Sequence, residues 1–485
     1  MEFDKTSWPD IKTQILRAVL VDDLIKAREL LKQVDMEELN LIRSLLDSVD
    51  NTSRPLKHLT APLPKDILIA TSYTCGIGCQ MCSSGFADRT TVFDDYKYVS
   101  PEQFDELLPW IDAASLVVYV GTGETLDSPH IYDFVKKSAG KPSTLITSGV
   151  ALTQEKLKHL IDSKLQTICF SYDGITSAGH GSGNEKYSKT ILNRIDMIQT
   201  TKEELGLDTP HVMINMVLNN ENVDQLDEIV DMAISKRVAM LLLSPMTPFN
   251  DDLLEKSIFI NFKFHQKKIN QAIKRGNDKG LLVRFGDEEE IKDSQPCPSI
   301  DRMLVFNEDH YLPSVCCGPV TMPIKIKDDS PDTYWNSFSF RYLRYMHDQE
   351  NSESLPAACD TCWAMHPLKF AEKVQHRGNN FDAYPLYFEA SEFKKNNHWD
   401  KAEKNYKSII KNTDDSTWRG KAYFHLAERK VREKNYLEAY ELFQQTVKNY
   451  YEHQLAFTYL YLLMIILEKN QEKVFPSLEH ASCPA

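Results

Sequence analysis

The sequence has little that would direct it into a membrane or out of the cell. Its first ten residues, MEFDKTSWPD, contain neither a basic segment nor an apolar one, so we expect no secretion signal. The longest apolar run late in the chain, residues 455–467, is too short to cross a bilayer as a helix. We therefore expect a cytoplasmic protein with no membrane partner, whose cysteines remain reduced.

Positive charge is also scarce. The chain has 56 Lys and Arg residues against 70 Asp and Glu residues, which gives a net charge of −14. This balance argues against a nucleic-acid partner, because nucleic-acid-binding proteins carry basic surfaces. The hydrophobic fraction of 42% and the charged fraction of 26% are ordinary for a globular protein. A length of 485 residues predicts about three domains.

Histidine is absent from the most distinctive stretch of the chain, residues 71–85, which reads TSYTCGIGCQMCSSG. This stretch instead holds Cys75, Cys79 and Cys82. Zinc sites usually combine two CxxC pairs or mix Cys with His, so zinc is disfavoured here. Three thiolates can bind three irons of a [4Fe–4S] cube. Because four cysteines normally hold such a cluster, one iron would stay open for a substrate or cofactor.

The segment before this loop, residues 66–72, is a short apolar run that is typical of a buried strand. Six strands are predicted, at residues 67–72, 116–120, 144–147, 167–171, 212–218 and 240–244. They alternate with amphipathic runs at 103–111, 154–161 and 223–234. This alternation predicts parallel βαβ units, and a partial (β/α)6 barrel of the α/β class fits the count. The cysteine loop would lie at a strand's carboxyl end, where such folds place their chemistry.

Three further polar turns follow predicted strands. They are GTGE at residues 121–124, TSG at 147–149 and SYDG at 171–174. Glycines let a backbone approach a ligand closely, and a carboxylate can accept a hydrogen bond from an ammonium group. For any single turn, a purely turn-forming role is equally open. Asn215, inside the fifth predicted strand, is a candidate inward-facing polar group.

The CxxxCxxC spacing resembles that of the radical S-adenosylmethionine (SAM) superfamily, and GTGE resembles the GGE motif of that family. The resemblance implies that the open iron binds the amino and carboxylate groups of SAM. One electron then cleaves SAM to methionine and a 5′-deoxyadenosyl radical, which abstracts a hydrogen atom from the substrate. The cofactor-binding residues that the resemblance implies are Met81, Gly121, Gly123, Glu124, Ser148, Ser171, Asp173 and Asn215.

A second cysteine group consists of Cys297, Cys316, Cys317, Cys359 and Cys362. A hairpin is predicted within residues 303–315, with its turn at 307–309. The group resembles the SPASM/twitch extension of radical SAM enzymes, and five cysteines imply one auxiliary [4Fe–4S] cluster with four ligands. Cys316 and Cys317 compete for one ligand position, and Cys316 is favoured. A structural zinc ion is the alternative, since four cysteines also form a zinc site.

The last hundred residues contain a repeat with an offset of 37 residues. Ala390, Ala402 and Tyr406 recur as Ala427, Ala439 and Phe443. This pattern resembles tetratricopeptide repeats (TPR), and a third unit is predicted from about His453. Such stacks usually bind a peptide, although a short stack can also be a dimerisation surface or a lid. The predicted domains are a helical segment (1–60), a radical SAM barrel (61–286), a SPASM/twitch domain (287–378) and a TPR-like domain (379–485).

The function that the resemblance implies is C–H activation by an oxidoreductase-type radical SAM enzyme. The repeat-like tail favours a ribosomally made peptide or a protein as substrate. The alternative is a twitch-type dehydrogenase of a small molecule such as an aminosugar, because that group also has a single auxiliary cluster. An electron donor of the flavodoxin or ferredoxin type is implied. A non-catalytic iron–sulfur scaffold is a second alternative, and it is disfavoured because a scaffold needs no SAM pocket.

Overall fold

The computed structural model describes residues 11–82, 97–174, 185–248, 251–286, 297, 299–306, 313–316, 322–323, 329–348, 355–375 and 381–470. The chain divides into two compact units. One contains the parts of the chain at 63–318 and 361–377, and the other contains 1–62, 319–360 and 378–485. The predicted turn at 307–309, the predicted ligand Cys317 and the end of the cysteine stretch at 83–85 lie outside the described residues.

The described residues form twenty α-helices and eight β-strands. The helices are α1 Ile11–Leu20, α2 Leu24–Leu31, α3 Asn40–Leu46, α4 Pro101–Asp105, α5 Leu108–Ala113, α6 Ile131–Lys137, α7 Gln154–Asp162, α8 Glu185–Leu205, α9 Leu226–Ser235, α10 Asp251–Leu254, α11 Phe262–Asp278, α12 Pro331–Trp335, α13 Phe338–Asp348, α14 Ala357–Asp360, α15 Pro367–Gln375, α16 Tyr384–Lys395, α17 Trp399–Asn412, α18 Ser416–Arg432, α19 Tyr436–Asn449 and α20 Gln454–Lys469. The strands are β1 Asp66–Ala70, β2 Leu116–Val120, β3 Ser143–Thr147, β4 Thr167–Ser171, β5 His211–Leu218, β6 Met240–Pro245, β7 Leu282–Phe285 and β8 Met303–Phe306.

All eight strands belong to one sheet in the order β7-β6-β5-β4-β3-β2-β1-β8, and every neighbouring pair is parallel. The predicted parallel α/β fold is therefore confirmed. Parallel neighbours require crossover connections, and helices such as α7, α8 and α9 supply them. The carboxyl ends of all these strands consequently meet at one edge of the sheet.

Burial along the strands distinguishes the two faces of the sheet. In β5 the buried residues Val212, Ile214 and Met216 alternate with the half-buried residues Met213 and Asn215. Successive side chains of a strand point to opposite faces, so one face is packed and the other is more open. We call the less buried face, which carries Met213 and Asn215, the open face of the sheet.

The six predicted strands are present, with ends that differ from the prediction by at most two residues. The sequence did not predict β7, and it predicted β8 only as part of a hairpin. Instead, β8 pairs in parallel with β1, and a single antiparallel bridge joins Val305 to Ser314. The four-residue apolar run of β8 does not show which strand it will pair with, because the residues of β1 that it pairs with lie more than 230 positions away.

The other unit is helical, and its C-terminal part consists of the antiparallel pairs α16–α17 and α18–α19 followed by α20. The six residues that define the 37-residue offset are fully buried. Equivalent positions of the two pairs therefore face packed surfaces, as the repeat pattern requires. Assignment to the TPR family stays a prediction. No helix in the described part of the chain is both long and apolar enough to cross a membrane.

Candidate active site

The first three predicted iron ligands lie just beyond the carboxyl end of β1. Cys75, Cys79 and Cys82 are half-buried, and no disulfide joins any of the described cysteines. Gly78 has a φ of 68°, a conformation that glycine adopts without steric cost, and the amide of Cys82 donates to the carbonyl of Cys79 at 3.2 Å. The loop therefore turns back on itself and keeps its three thiols on one short segment.

The surroundings of Cys75 disfavour a free thiolate. Burial, together with the charges of Glu124, Cys79 and Cys82, raises the pKa of this thiol to about 11. A cysteine binds metal only after its thiol loses the proton. A bound cation is therefore needed to offset this raised pKa. Three thiols on one short loop are a donor set that fits an iron–sulfur group.

The GTGE turn after β2 is hydrogen-bonded to the cysteine loop. The amide of Gly123 donates to the carbonyl of Ser72, and the amide of Glu124 donates to that of Thr74, both at 2.8 Å. A Cβ on Gly123 would lie 2.3 Å from the Thr74 oxygen, so only glycine permits this approach. The two sequence motifs thus form one structural element. Gly121 is equally restricted, since a Cβ there would lie 2.1 Å from the Gly123 oxygen.

The carboxylate of Glu124 connects this element to the turn after β3. The residue is only 5% exposed. One carboxylate oxygen, Oε1, accepts from the Leu126 amide at 3.0 Å and from the hydroxyl of Thr147, and Oε2 accepts from the Ser148 amide at 2.8 Å. Three donors from two turns therefore hold one buried charge. Sequence reasoning missed this role of Thr147, although the residue begins the TSG motif.

Tyr187 is a second residue that sequence reasoning missed. It lies in the first turn of α8, is 7% exposed, and places its hydroxyl 3.0 Å from the Ser148 carbonyl and 3.2 Å from the Ser171 carbonyl. Burial raises its pKa, and the charges of Asp173, Cys79 and Glu124 raise it further. Tyr187 thus joins the ends of β3 and β4 next to the cysteine loop. No motif marks a lone tyrosine inside a helix.

Asp173 and Asn215 are held by the ends of neighbouring strands. The carboxylate oxygen Oδ1 of Asp173 accepts from the Val217 amide at 2.7 Å, and the residue is 1% exposed. Asn215 accepts from the hydroxyl of Ser244 at 2.8 Å. Met81 is half-buried in the cysteine loop. A cofactor-binding role for each of the eight residues predicted from the sequence stays a prediction. Seven of them are observed at strand ends or in the adjoining loops, and Asn215 lies within β5.

The second cysteine group is described in part. In the unit that contains the sheet, burial raises the pKa of Cys297, and the neighbouring Cys362 raises it further. The carbonyl of Cys362 accepts from the amides of Met365 and His366, and the carbonyl of Cys316 accepts from the hydroxyl of Ser314 at 2.7 Å. Among the described residues, no group of three or more His, Cys, Asp or Glu side chains is gathered closely enough to hold one metal ion. In a four-iron cluster, by contrast, each cysteine binds a different iron.

Comparison with protein-family models gives one match at the strands that carry the site. Residues 69–233 match the model of the Radical SAM superfamily. The chain carries a radical SAM domain. Radical SAM enzymes hold a [4Fe–4S] cluster and SAM, so the domain implies both for this chain.

Known proteins and solved structures match different shares of the chain. The Pyrococcus furiosus tungsten-containing aldehyde ferredoxin oxidoreductase cofactor-modifying protein is 23% identical over 356 residues, which cover 62% of this chain and 93% of that protein. The PqqA peptide cyclase of Bradyrhizobium diazoefficiens is 26% identical over 179 residues, which cover 36% of this chain but only 44% of the cyclase. The crystal structure of Streptococcus suis SuiB bound to S-adenosylmethionine matches with a TM-score of 0.46 at 13% identity, over 76% of this chain and 85% of that one.

Proposed function

We propose that this chain is a radical SAM enzyme that abstracts a hydrogen atom from a ribosomally made peptide or a protein. The observation that carries the proposal is the hydrogen-bonded pair of motifs within the radical SAM domain: the loop of Cys75, Cys79 and Cys82, and the GTGE turn. Two polypeptide segments that lie about 40 residues apart in sequence meet at one edge of the sheet. A structural turn alone would not require three thiols beside a buried carboxylate.

The three thiolates would hold three irons and leave the fourth open for SAM. When bound, this cluster supplies the electron that cleaves SAM to methionine and a 5′-deoxyadenosyl radical. The two oxygens of the Glu124 carboxylate offer about four acceptor positions, and three protein donors occupy three of them. We assign the remaining position to the amino group of SAM. Gly121, Gly123, Met81, Ser148, Ser171 and Asp173 are the other residues proposed to contact the cofactor.

The choice of a polypeptide substrate draws on two observations. One relative is named as a cyclase of the PqqA peptide, and it is 26% identical to this chain over 179 residues. In addition, the helical C-terminal region exposes the aromatic rings of Tyr384 and Phe388, which are 59% and 58% exposed and stack with their centroids 6.5 Å apart. Contiguous exposed apolar surface marks contact sites on proteins. We assign the TPR-like region, residues 379–485, to contact with the substrate.

A small molecule is the second candidate substrate. The cofactor-modifying relative from Pyrococcus furiosus aligns over nearly its whole length, which is a longer match than that of the peptide cyclase. A dehydrogenation of such a molecule would use the same cofactors. Identification of the compound that accelerates SAM cleavage decides between the two candidates.

We further propose one auxiliary [4Fe–4S] cluster on Cys297, Cys316, Cys359 and Cys362. The approach of Cys297 to Cys362 supports this assignment, as does their placement after the radical SAM domain. Four ligands close a cluster, so it would pass an electron rather than bind substrate. The domain boundaries at about 60, 286 and 378 belong to this proposal, as does reduction of the first cluster by a flavodoxin-type or ferredoxin-type donor.

The test of the proposed function is the triple variant with Cys75, Cys79 and Cys82 replaced by Ala. After anaerobic reconstitution it should contain about four fewer irons than the unchanged protein and form no 5′-deoxyadenosine from SAM and dithionite. Cys169→Ala is the matched control, because Cys169 is a buried thiol of β4 to which no ligand role is assigned. That control should keep its iron and its activity. Formation of 5′-deoxyadenosine by the triple variant would refute the proposal.

A further inference from the structure

A lysine of α7 lies where a helix disfavours positive charge. Lys156 is the third residue of this helix, and its amide donates to the hydroxyl of the capping residue Thr153 at 3.2 Å. The amino end of a helix carries partial positive charge, so acidic side chains stabilise it and basic ones do not. Lys156 is nevertheless half-buried there. Its ammonium therefore needs a contact that compensates for this position.

That contact is made with the turn that holds Glu124. The Nζ atom of Lys156 donates to the carbonyl of Leu126 at 3.1 Å, across 30 residues of sequence. Leu126 is 3% exposed, and its amide donates to Oε1 of Glu124 at 3.0 Å. Both backbone polar groups of Leu126 are thus bonded to charged side chains, one to a carboxylate and one to an ammonium. A single residue connects Lys156 to the carboxylate assigned to SAM.

The next residue, Asp127, adds a second carboxylate to this turn. It is half-buried, and its amide donates to the carbonyl of Glu124 at 3.0 Å. Burial and the charge of Glu124 raise the pKa of Asp127, whereas the charge of Lys156 lowers it. The two carboxylates therefore lie close enough to repel each other. Lys156 is a cation that offsets this repulsion before SAM binds.

A cation in this place has two opposite effects on SAM. The amino group of SAM is itself positively charged, and two unit charges roughly 10 Å apart in water-like surroundings change a binding constant by about twofold. A hydrogen bond from a charged donor changes it by about tenfold or more. The bond that holds the turn therefore outweighs the repulsion. The sign of the change in SAM affinity distinguishes a lysine that holds the turn from one that merely lies nearby.

We propose that Lys156 is a positioning residue for SAM. By bonding the Leu126 carbonyl and offsetting the charges of Glu124 and Asp127, it holds the Glu124 carboxylate in the orientation that accepts from the SAM amino group. Lys156 acts through Leu126 rather than by contact with SAM. This inference rests on the proposed function, and it names a residue that no sequence motif marks.

The test compares three single variants of the full-length protein after anaerobic reconstitution. Lys156→Met keeps the apolar stem and removes the charged donor, whereas Lys156→Arg keeps a charged donor. Lys158→Met is the matched control, because Lys158 lies on the same helix and is exposed. Iron content, equilibrium binding of SAM, and amide exchange of the peptide at 124–128 without SAM are measured for each.

Lys156→Met should weaken SAM binding about tenfold and accelerate exchange at 124–128 by a similar factor, the lower end expected for a charge-assisted bond because water can reach the half-buried ammonium. Its iron content should not change, since no thiol is altered. Lys156→Arg should keep most of the affinity and of the protection from exchange. Lys158→Met should behave as the unchanged protein does.

The offset of charge has a test of its own in Asp127→Asn. In the unchanged protein this replacement removes a negative charge near the SAM amino group, so it should weaken SAM binding by about twofold. In Lys156→Met the same replacement relieves the repulsion that Lys156 no longer offsets, so it should restore part of the lost affinity. A residue with a purely structural role would not make the effect of Asp127→Asn change sign.

Unchanged or tighter SAM binding in Lys156→Met would overturn the proposal, and so would an equal loss in Lys158→Met or an equal effect of Asp127→Asn in both backgrounds. If Lys156→Met does not fold, Lys156→Gln, which keeps a polar side chain without the charge, is judged by the same affinities. If the unchanged protein binds no SAM, the proposed function fails instead, so the two failures are distinguishable.

Discussion

The replacement Glu124→Gln tests the site most directly, because one carboxylate has been assigned both a structural and a ligand-binding role. The amide has one acceptor oxygen and one NH2 group in place of two acceptor oxygens. If its oxygen keeps the bonds to Leu126 and Thr147, the NH2 group meets the donating amide of Ser148. The reverse orientation places the NH2 group against two donors. At least one charge-assisted bond is lost in either case.

A lost bond of this kind costs about 1.5–3 kcal/mol. Amide hydrogen exchange at Leu126 and Ser148 should therefore become about tenfold to a hundredfold faster in Glu124→Gln without SAM. SAM affinity should fall by at least the same factor, because the fourth acceptor position is also weakened. Iron content should not change, since no thiol is altered. These quantities are measured by exchange mass spectrometry, equilibrium binding of SAM and iron analysis.

Thr147→Val is the matched variant, because it removes one donor to Glu124 and keeps the charge. It should accelerate exchange near Leu126 while it weakens SAM binding less than Glu124→Gln does. If the two variants weaken SAM binding equally, Glu124 acts only by holding the turns. If Glu124→Gln changes neither amide exchange nor SAM affinity, the reasoning from these hydrogen bonds is wrong.

Three further outcomes are expected. Replacing Cys359 and Cys362 by Ala should lower the iron content by about four atoms per chain and should leave the EPR signal of the first cluster unchanged. Product formation should fall far more than SAM cleavage. One tightly held zinc ion per chain in the unchanged protein would contradict this prediction. Tyr187→Phe removes the hydroxyl that donates to the Ser148 and Ser171 carbonyls. The KM for SAM should therefore rise about tenfold at constant iron content. An unchanged KM would refute the idea that Tyr187 positions the turns after β3 and β4. Burial and the charge of His425 lower the pKa of His453 from 6.5 to about 4. As the pH falls from 6.5 to 4, the unfolded chain binds more protons at this residue than the folded one, so the helical unit should lose up to about 3 kcal/mol of stability. The melting temperature of His453→Asn should depend less on pH, and equal pH dependence in both proteins would contradict the assignment.

The sequence alone determined the elements that depend on neighbouring residues. An apolar strand followed by CxxxCxxC, and a second strand followed by GTGE, are local patterns. Since parallel strands end at one edge of their sheet, the patterns also predicted that Cys75 and Glu124 would lie together, and the structure places them close enough to interact electrostatically. The 37-residue offset in the tail likewise predicted which small and aromatic residues would be buried.

Only the tertiary structure decided the contacts that cross from one strand end to the next. The bonds from Thr147 and Ser148 to Glu124 span more than 20 residues, and the bond from Tyr187 to Ser148 spans 39. The place of β7 in the sheet depends on its register with β6 and on the packing of Val283 against Gly276 of α11. No local pattern encodes such a register, because it is chosen by the combined burial and hydrogen bonding of segments that are distant in sequence.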